Sequence, residues 1–302
     1  MKQLEDLKIL VVGDIMLDKY IEGVVNRISP EAPVPIVNVT HEYHTLGGCG
    51  NVARNIRELG CNVECLASIG PDIEGKMIEN ELEMLGIYSL LIHGSTKTTT
   101  KTRIIADTRK VQMLRYDSED TRTVHQKSLA NHVLRGCGEY DIIVVSDYAK
   151  GMISYEIMKY LKENFAAPII VDPKPSHGQF YDGVFMITPN KIEWDSMIVS
   201  SAYNLAHVNY ILETKGSRGM TLIDNQNDIS HDISGEEVQV YNVSGAGDTV
   251  VAIMSVCLSL GYDPLTAAKI ANKCAGYVVT QPGTSIVPKN IFMKKVDCVI
   301  GG

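Results

Sequence analysis

The chain has 302 residues, of which 45% are hydrophobic and 21% are charged, and its formal net charge at pH 7 is -8. This composition is typical of a globular protein with room for one large domain. The acidic balance gives no general attraction to nucleic acid or to an anionic membrane surface, although a local basic pocket can still bind a phosphorylated small molecule. We therefore expect neither a nucleic-acid partner nor a membrane partner.

The longest apolar run, at 250–260, is interrupted by serines and is too short to span a bilayer, so it predicts a buried helix. The N-terminal residues lack the continuous apolar segment of a signal peptide, which predicts a cytoplasmic protein. The seven cysteines lie scattered in mostly apolar segments and form no CxxC pair. Reduced, buried thiols are expected, and the pattern argues against a zinc site.

Short runs rich in β-branched residues alternate with segments of helical period. The runs expected to form buried strands are Lys8–Gly13, Asp141–Asp147, Pro168–Asp172, Val184–Thr188 and Tyr210–Thr214. Predicted helices at 51–59 and 73–85 are each followed by a glycine that suits a C-terminal cap. The alternation predicts an α/β fold with a mostly parallel central sheet and helices on both faces.

Two regions break this alternation, 18–44 with its three prolines and 88–117 with its many threonines. Both have strand patterns without helices between them. We predict that they form a small β-sheet lid over the carboxyl ends of the parallel strands, where such folds bind ligands. No linker or repeat is visible, so residues 1–302 are expected to form one domain. The lid's apolar face and open edges predict a homodimer that pairs two lids.

The sequence SGAGDT, which includes Asp248, directly precedes the long apolar run. A helix N-terminus offers unpaired N–H groups and a positive dipole end, and glycine lets an anion approach them. Gly245, Ala246 and Gly247 can therefore form an anion hole. Asp248 would repel a resting phosphate there, but it can orient a hydroxyl and accept its proton while negative charge develops nearby. A purely capping role for Asp248 remains equally open on these residues alone.

Four motifs occur in order along almost the whole chain. They are GGCGN at 47–51, TPNKIE at 188–193, TKGSRG at 214–219 and SGAGDT at 244–249. They resemble the sugar-binding glycine motif, the NxxE motif, the TxGxxG turn near the nucleotide and the GAGD segment of the ribokinase (PfkB) family. The resemblance implies a ribokinase-like fold and ATP-dependent phosphorylation of a sugar.

Within that family, the segments 11–23, RISPEAPVPIV at 27–37 and VDPK at 171–174 resemble the heptose 7-phosphate kinases of lipopolysaccharide precursor synthesis. This resemblance implies phosphorylation of the anomeric C1 hydroxyl of D-glycero-D-manno-heptose 7-phosphate to the 1,7-bisphosphate, on the route to ADP-heptose. The chain shows no nucleotidyltransferase domain like that of the bifunctional relatives, so one activity is expected. The segment 190–214 is shorter than usual in the family, so the presence of one peripheral helix is left open.

The family resemblance also implies roles for individual residues on the nucleotide side. Asp248 is implied as the catalytic base, with Gly245, Ala246 and Gly247 holding the transferred phosphoryl group. Asn190 and Glu193, three residues apart, are implied to engage ATP phosphates through Mg²⁺ and its water shell, and a capping box is the alternative. The other residues implied to lie near the nucleotide are Lys191, Ile192, Thr214, Gly216, Gly219, Asn272, Gly283 and Thr284. Whether a potassium ion assists the anion hole is left open.

On the sugar side, Asp14 and Asp18 follow the first strand and are expected to accept sugar hydroxyls, with a turn role as the alternative for each. Gly47, Gly48 and Asn51 are expected to bring backbone and amide groups close to the same ring. For the distal phosphate the cationic candidates are Lys174, Arg103 and Arg115, with Lys174 preferred. A solvated charged face explains any single arginine equally well.

Three other functions remain open. They are a kinase of another sugar or sugar phosphate, a non-catalytic sugar or nucleotide sensor, and a dinucleotide-dependent oxidoreductase. The intact Asp248 and NxxE pair disfavour the sensor. The first strand and its turn, VVGDIMLD, lack the GxGxxG sequence that a dinucleotide site needs, which disfavours the oxidoreductase.

Overall fold

A computed structural model describes residues 2–93, 97–106, 111–119, 138–199, 205 and 207–301. The strands in these ranges are β1 (Lys8–Gly13), β2 (Ile15–Ile28), β3 (Pro35–Gly48), β4 (Asn62–Ile69), β5 (Tyr88–His93), β6 (Thr99–Ala106), β7 (Val111–Ser118), β8 (Ile142–Ser146), β9 (Ile169–Asp172), β10 (Met186–Ile187), β11 (Tyr210–Thr214), β12 (Met220–Asp224) and β13 (Ile229–Ile233). The helices are α1 (Cys49–Glu58), α2 (Ile73–Met84), α3 (Tyr155–Asn164), α4 (Lys191–Val199), α5 (Ala246–Ser259), α6 (Pro264–Val278) and α7 (Lys289–Ile300). None of the helices described is long and apolar enough to cross a membrane.

The central sheet has nine strands in the order β13-β12-β11-β10-β9-β8-β1-β4-β5. Every neighbouring pair from β11 to β5 is parallel, and β12 and β13 add an antiparallel edge. The carboxyl ends of β1, β8 and β9 therefore meet at one edge of the sheet. The α/β prediction with a mostly parallel sheet is confirmed.

The core lies on both faces of this sheet because successive side chains of a strand point to opposite sides. In β1, Ile9 and Val11 pack in one hydrophobic cluster with α1, α2, α5, α6 and α7. Leu10 and Val12 pack in a second cluster with α3 and α4. All four side chains are fully buried, which explains why this strand reads as a continuous apolar run.

The glycines that follow α1 and α2 confirm the predicted helix ends. Gly60 and Gly86 have φ values of 98° and 66°, which is the left-handed conformation common just after a helix. One predicted strand is much shorter than expected, since the 184–188 run contributes only Met186–Ile187 to the sheet.

A second, four-stranded sheet has the order β3-β2-β6-β7 and forms the lid. Its bounds differ from the prediction, because Tyr88–His93 pairs with β4 in the central sheet and buries Ile92 in the core. The β2–β3 hairpin also extends further than expected, from Ile15 to Gly48. The central sheet takes β5 because it follows α2 as an ordinary parallel crossover. Positions 94–96 and 107–110 of the predicted lid lie outside the described residues.

Candidate active site

The N-terminus of α5 opens onto a cleft. Two positions there are glycine for different physical reasons. Gly245 has a φ of 79°, and a Cβ on it would lie 2.8 Å from Thr284 Cγ2 and 2.9 Å from Asn51 Nδ2. Glycine is therefore required for the chain to pass between these side chains. A Cβ on Gly247 would meet no atom within 4 Å. The space in front of Gly247 is open to a ligand, as an anion hole needs.

Asp248 lies in the first turn of α5 and is 5% exposed. Its Oδ2 accepts a hydrogen bond from Asn51 Nδ2 at 2.7 Å, and its Oδ1 accepts one from the Tyr148 hydroxyl at 2.9 Å. Burial raises the pKa of the Asp248 carboxyl, and these two hydrogen bonds oppose that rise because they favour the charged form. The carboxylate therefore faces neighbouring elements across the cleft, and neither hydrogen bond caps its own helix.

Asp14 organises the loop that carries Tyr148. Its carboxylate accepts backbone N–H groups from Tyr148, Lys150 and Met152 at 2.8, 3.0 and 2.9 Å. Burial and the nearby Asp147 raise its pKa, against the lowering effect of the three hydrogen bonds. We expected Asp14 to accept sugar hydroxyls, and that contact stays a prediction. In the structure both of its oxygens accept N–H groups of this loop. The reason is its position at the end of β1, directly beside the end of β8.

The first two glycines of the GGCGN motif let the lid hairpin close against the aspartates. A Cβ on Gly47 would lie 2.7 Å from Asp18 Oδ2, and one on Gly48 would lie 2.3 Å from the Asp14 carbonyl oxygen. Asp18 is buried and pairs with Arg103, whose Nη1 lies 2.7 Å from Asp18 Oδ1. The structure thus brings together Asp18, Gly47 and Arg103 from three lid strands.

Three cations stand on one side of the lid sheet. Residues two apart share a face, and the register places Asp18 opposite Lys101 and Arg103 opposite Arg115. We call this set the lid face; its members are Asp18, Lys101, Arg103, Arg115 and Asp117. Arg103 pairs with Asp18 and Arg115 with Asp117, whereas Lys101 forms no ion pair within the described part of the chain. The Lys101 Nζ lies 5.0 Å from the centroid of the Tyr148 ring, and burial lowers the pKa of this amine.

Lys174 lies with the NxxE motif rather than with the lid face. Its Nζ is 2.7 Å from Glu193 Oε1 and 5.5 Å from the Tyr148 ring centroid. The Glu193 N–H donates to Asn190 Oδ1 at 2.9 Å, and the Asn190 N–H donates to Glu193 Oε2 at 3.0 Å, so the capping box is formed. This geometry differs from our preferred distal-phosphate role for Lys174, because Glu193 draws its ammonium group toward the nucleotide motif.

Asp172, at the end of β9, adds a further carboxylate to the cleft. Burial and the negative charges of Asp248 and Glu193 raise its pKa well above the ordinary value, and Lys174 opposes this rise. In the described ranges no group of three or more acidic, His or Cys side chains is arranged to hold a metal ion.

A concave pocket begins at the α5 N-terminus and runs along α6. The predicted nucleotide residues that line it are Thr214, Gly216, Gly219, Ala246, Gly247 and Asn272. Its wall is largely apolar and includes Val238, Val240, Val243 and Val279. Asn272 also donates from Nδ2 to the Ser234 carbonyl at 2.8 Å, which ties α6 to the chain after β13. A concave, largely apolar pocket beside an open helix N-terminus suits a nucleotide base with phosphates attached.

Six residues predicted for the nucleotide side do not line this pocket, namely Asn190, Lys191, Ile192, Glu193, Gly283 and Thr284. Lys191 pairs with Asp195 on the outside of α4, and the Ile192 side chain is 82% exposed. Glu193 contacts Lys174, and neighbouring residues of a helix face other directions, so Lys191 and Ile192 point away from that contact. Gly283 is absent from the pocket wall, and Thr284 instead contacts the Tyr20 hydroxyl at 2.9 Å on the lid side.

Sequence reasoning missed Tyr148, Lys101 and Asp172 as cleft residues. Tyr148 and Asp172 lie at or just past the ends of the parallel strands β8 and β9, and this position is itself the signal for a ligand site. Lys101 carries no such signal, because its place depends on a strand pairing between β2 and β6 that the sequence does not indicate.

Residues 6–290 match the pfkB family of carbohydrate kinases. The chain belongs to this family. It is 38% identical over 303 residues to the bifunctional protein HldE of Caulobacter sp. strain K31, covering 92% of this chain and 60% of that protein. It is 37% identical to the D-beta-D-heptose 7-phosphate kinase of Bordetella bronchiseptica, covering 93% of both chains. The chain thus spans about three fifths of the length of the bifunctional relatives, for example 60% of one and 63% of another.

Solved structures show the same fold at low sequence identity. The phosphofructokinase-2 of Escherichia coli in complex with potassium superposes with a TM-score of 0.81 at 14% identity, covering 97% of this chain and 99% of that one. The ribokinase of Thermotoga maritima gives a TM-score of 0.71 at 17% identity, covering 98% and 99%. The expected ribokinase-like fold is confirmed.

Proposed function

We propose that the protein transfers the γ-phosphoryl group of ATP to the anomeric hydroxyl of D-glycero-D-manno-heptose 7-phosphate, giving the 1,7-bisphosphate and ADP. One observation carries this proposal: the buried Asp248 carboxylate stands at a helix N-terminus between an apolar pocket and the cationic lid face. The names of the relatives, heptose 7-phosphate kinase and HldE, support the choice of sugar.

The chemistry requires a base, a positioned hydroxyl and a place for developing charge. The sugar oxygen forms a bond to the γ-phosphorus while the bond from that phosphorus to the ADP oxygen breaks. Asp248 accepts the hydroxyl proton and later releases it to water. The N–H groups of Gly245, Ala246 and Gly247 stabilise the charge on the transferred group.

The residues present fit ATP with Mg²⁺. The valine-lined slot suits adenine, and the open space at Gly247 suits the phosphates. Asp172 and Glu193 would accept hydrogen bonds from the water molecules around a bound Mg²⁺, which would neutralise phosphate charge. Lys174, held at Glu193, is assigned to the transferred phosphoryl group. Whether potassium has a role is left open, as in the family resemblance.

The lid face is assigned to the 7-phosphate. Its three cations outnumber its two carboxylates, and Lys101 can meet a phosphate without breaking an ion pair among the described residues. Arg103 and Arg115 lie on the same face, directly opposite each other on β6 and β7. We place the phosphate beside Lys101, with the two arginines as further donors.

The homodimer through the lid also remains part of the proposal. The lid exposes large apolar side chains, including Val39, Leu114 and Tyr116 at 49, 54 and 48%. Pairing two lids would cover such side chains and the open strand edges. Light scattering at micromolar concentration is expected to give the mass of a dimer, and a monomer would count against the arrangement.

A substrate panel tests the activity. The protein is incubated with ATP and Mg²⁺ and with sugar 7-, 6- or 5-phosphates or the unphosphorylated heptose, and ADP release is measured against a reaction without acceptor. The highest kcat/KM is expected for heptose 7-phosphate. Exclusive turnover of a hexose 6-phosphate would replace the heptose assignment with the kinase of another sugar phosphate.

A further inference from the structure

Tyr148 contacts side chains from both halves of the cleft. Its hydroxyl donates to Asp248 Oδ1 at 2.9 Å. Its ring lies near two cations, with the Lys101 Nζ 5.0 Å and the Lys174 Nζ 5.5 Å from the centroid. Such cation–π contacts hold the ring in place, one from the lid and one from the turn after β9. The reaction proposed above gives this tyrosine no role.

The backbone around Tyr148 is fixed by two buried carboxylates. Asp14 accepts three N–H groups of the loop, and Asp147 Oδ1 accepts the Ala149 N–H at 2.8 Å. Ala149 has a φ of 54°, a left-handed conformation that a residue with a Cβ adopts only where its surroundings impose it. A loop held this firmly suits a fixed contact with Asp248 better than a group that must swing away for the substrate.

We propose that Tyr148 is a positioning residue that holds the Asp248 carboxylate, through Oδ1, in the orientation from which it accepts the proton of the sugar hydroxyl. This inference rests on the proposed function, since it gives Asp248 the role of base. Asn51 holds the other oxygen from the opposite side. Each carboxylate oxygen accepts more than one hydrogen bond, so a lone pair remains for the substrate hydroxyl.

The hydrogen bond also affects when the base is ionised. The titratable and charged groups that face Asp248 are Asp18, Lys101, Tyr148, Asp172 and Cys49. The negative charge of Asp18 raises the pKa of Asp248, whereas the charge of Lys101 and the hydrogen bonds from Asn51 and Tyr148 lower it. Removing the hydroxyl takes away one lowering contribution, so the pKa of Asp248 rises and the base becomes protonated at higher pH.

The test compares Tyr148→Phe with wild type in the pH profile of kcat/KM. We expect the acid limb to move to higher pH by about one unit, the usual size of one hydrogen bond to a charged group, with a plateau lower by about tenfold. The KM for the sugar should change by less than about threefold. Tyr140→Phe is the matched control. It removes a hydroxyl that lies outside the cleft and donates to Glu64 Oε2 at 2.7 Å. That control should keep the wild-type profile.

A second variant guards against a folding defect in Tyr148→Phe. Placing 3-fluorotyrosine at position 148 keeps the size of the ring and makes the hydroxyl a stronger donor, so the acid limb should move to lower pH. An acid limb that does not move in either variant overturns the inference. A lower sugar KM with a higher kcat in Tyr148→Phe also overturns it, because the hydroxyl would then be a displaceable occupant of the acceptor position.

Asp248→Asn, measured in parallel, separates failure of this inference from failure of the proposed function. If Asp248→Asn is inactive and Tyr148→Phe behaves as wild type, only the role of Tyr148 is lost. If Asp248→Asn retains wild-type turnover, the proposed function itself fails.

Discussion

The nucleotide pocket and the lid face, which meet at Asp248, are built on different principles. The pocket comes from one stretch of chain, 214–279, and its wall consists mainly of glycines, valines and backbone. The lid face comes from β2, β6 and β7 and consists of charged side chains. The pocket therefore selects its ligand by shape, and the lid face selects by charge. Substitutions on the two sides should separate into effects on ATP and effects on the sugar phosphate.

The largest effect is expected where the two sides meet. Asp248→Asn should lower kcat by about 10²-fold or more, because the nearly isosteric amide cannot accept the proton. The fold and ATP binding should survive, which thermal unfolding and nucleotide titration would check. Unchanged kcat in a folded variant would reduce Asp248 to a residue of the helix N-terminus.

Two lysines sharpen the comparison between the sides. Lys101→Ala should raise the KM for heptose 7-phosphate by about ten- to a hundredfold and leave the KM for ATP unchanged, because a charge-assisted hydrogen bond to the distal phosphate is lost. Lys174→Ala should instead lower kcat for every acceptor, with or without a phosphate. Both KM values and kcat should be measured with the heptose and its 7-phosphate. Loss of the preference for phosphorylated sugar in Lys174→Ala alone would reverse the two assignments.

Two glycines of one motif should fail in different ways. Gly245→Ala should lower the free energy of unfolding by about 1–3 kcal/mol, because its φ is 79° and its Cβ would lie 2.8 Å from Thr284. Gly247→Ala meets no protein atom, so stability should be retained while kcat falls by about tenfold as the methyl group enters the anion hole. Chemical denaturation and steady-state kinetics on both variants would check this. Equal kinetic losses without any loss of stability would contradict the clash at Gly245.

The smallest effect concerns stability and pH. The pKa of Asp172 is raised in the folded state, so its charged form destabilises the fold above that pKa, and the cost disappears as the pH falls and the group is protonated. Asp172→Asn should therefore raise Tm at pH 8 by about 2 °C, with a gain that shrinks toward acidic pH. The activity of Asp172→Asn should fall, because the Asp172 carboxylate destabilises the fold but contributes to function.

Asp263→Ala should change the stability in the opposite direction when it is measured over the same range of pH. Asp263 caps α6 by accepting the N–H groups of Leu265 and Thr266, and hydrogen bonding lowers its pKa. Its stabilising effect is present above the unfolded-state pKa and is lost as the pH falls through the lower folded-state value. This variant should lose about 1 kcal/mol at pH 8, with a smaller loss in acid. If Asp172→Asn instead lowered Tm at pH 8, as Asp263→Ala is expected to do, the raised pKa of Asp172 would be contradicted.

Much of the fold and the nucleotide side could be predicted from the sequence, because local patterns determine them. β1 reads as a buried strand since both of its faces are covered, and Gly60 and Gly86 mark helix ends by their conformation. The NxxE and GAGD motifs are short and contiguous, so their residues come together within one helical turn. The exceptions include Lys191, which pairs with Asp195, and Ile192, which is largely exposed, because sequence spacing alone does not show which way each residue of a motif faces.

The sugar side could be predicted less well, because long-range contacts decide it. The sequence does not show that the loop after β8 brings three N–H groups against Asp14. Lys174 is drawn to Glu193 by a helix that begins 17 residues later, at position 191, and Lys101 reaches Tyr148 across two sheets. Tyr88–His93 joined the central sheet because burial of Ile92 there outweighs its lid-like pattern.

Phosphorus NMR of the reaction product tests the central claim most directly, because it shows which oxygen receives the phosphoryl group. The wild-type protein is incubated with ATP, Mg²⁺ and D-glycero-D-manno-heptose 7-phosphate, with Asp248→Asn as the parallel control. We predict a new phosphate resonance coupled to the anomeric proton, an unchanged 7-phosphate resonance and an equal amount of ADP, with no product from the variant. A new phosphate on another hydroxyl, or release of inorganic phosphate alone, would contradict the account.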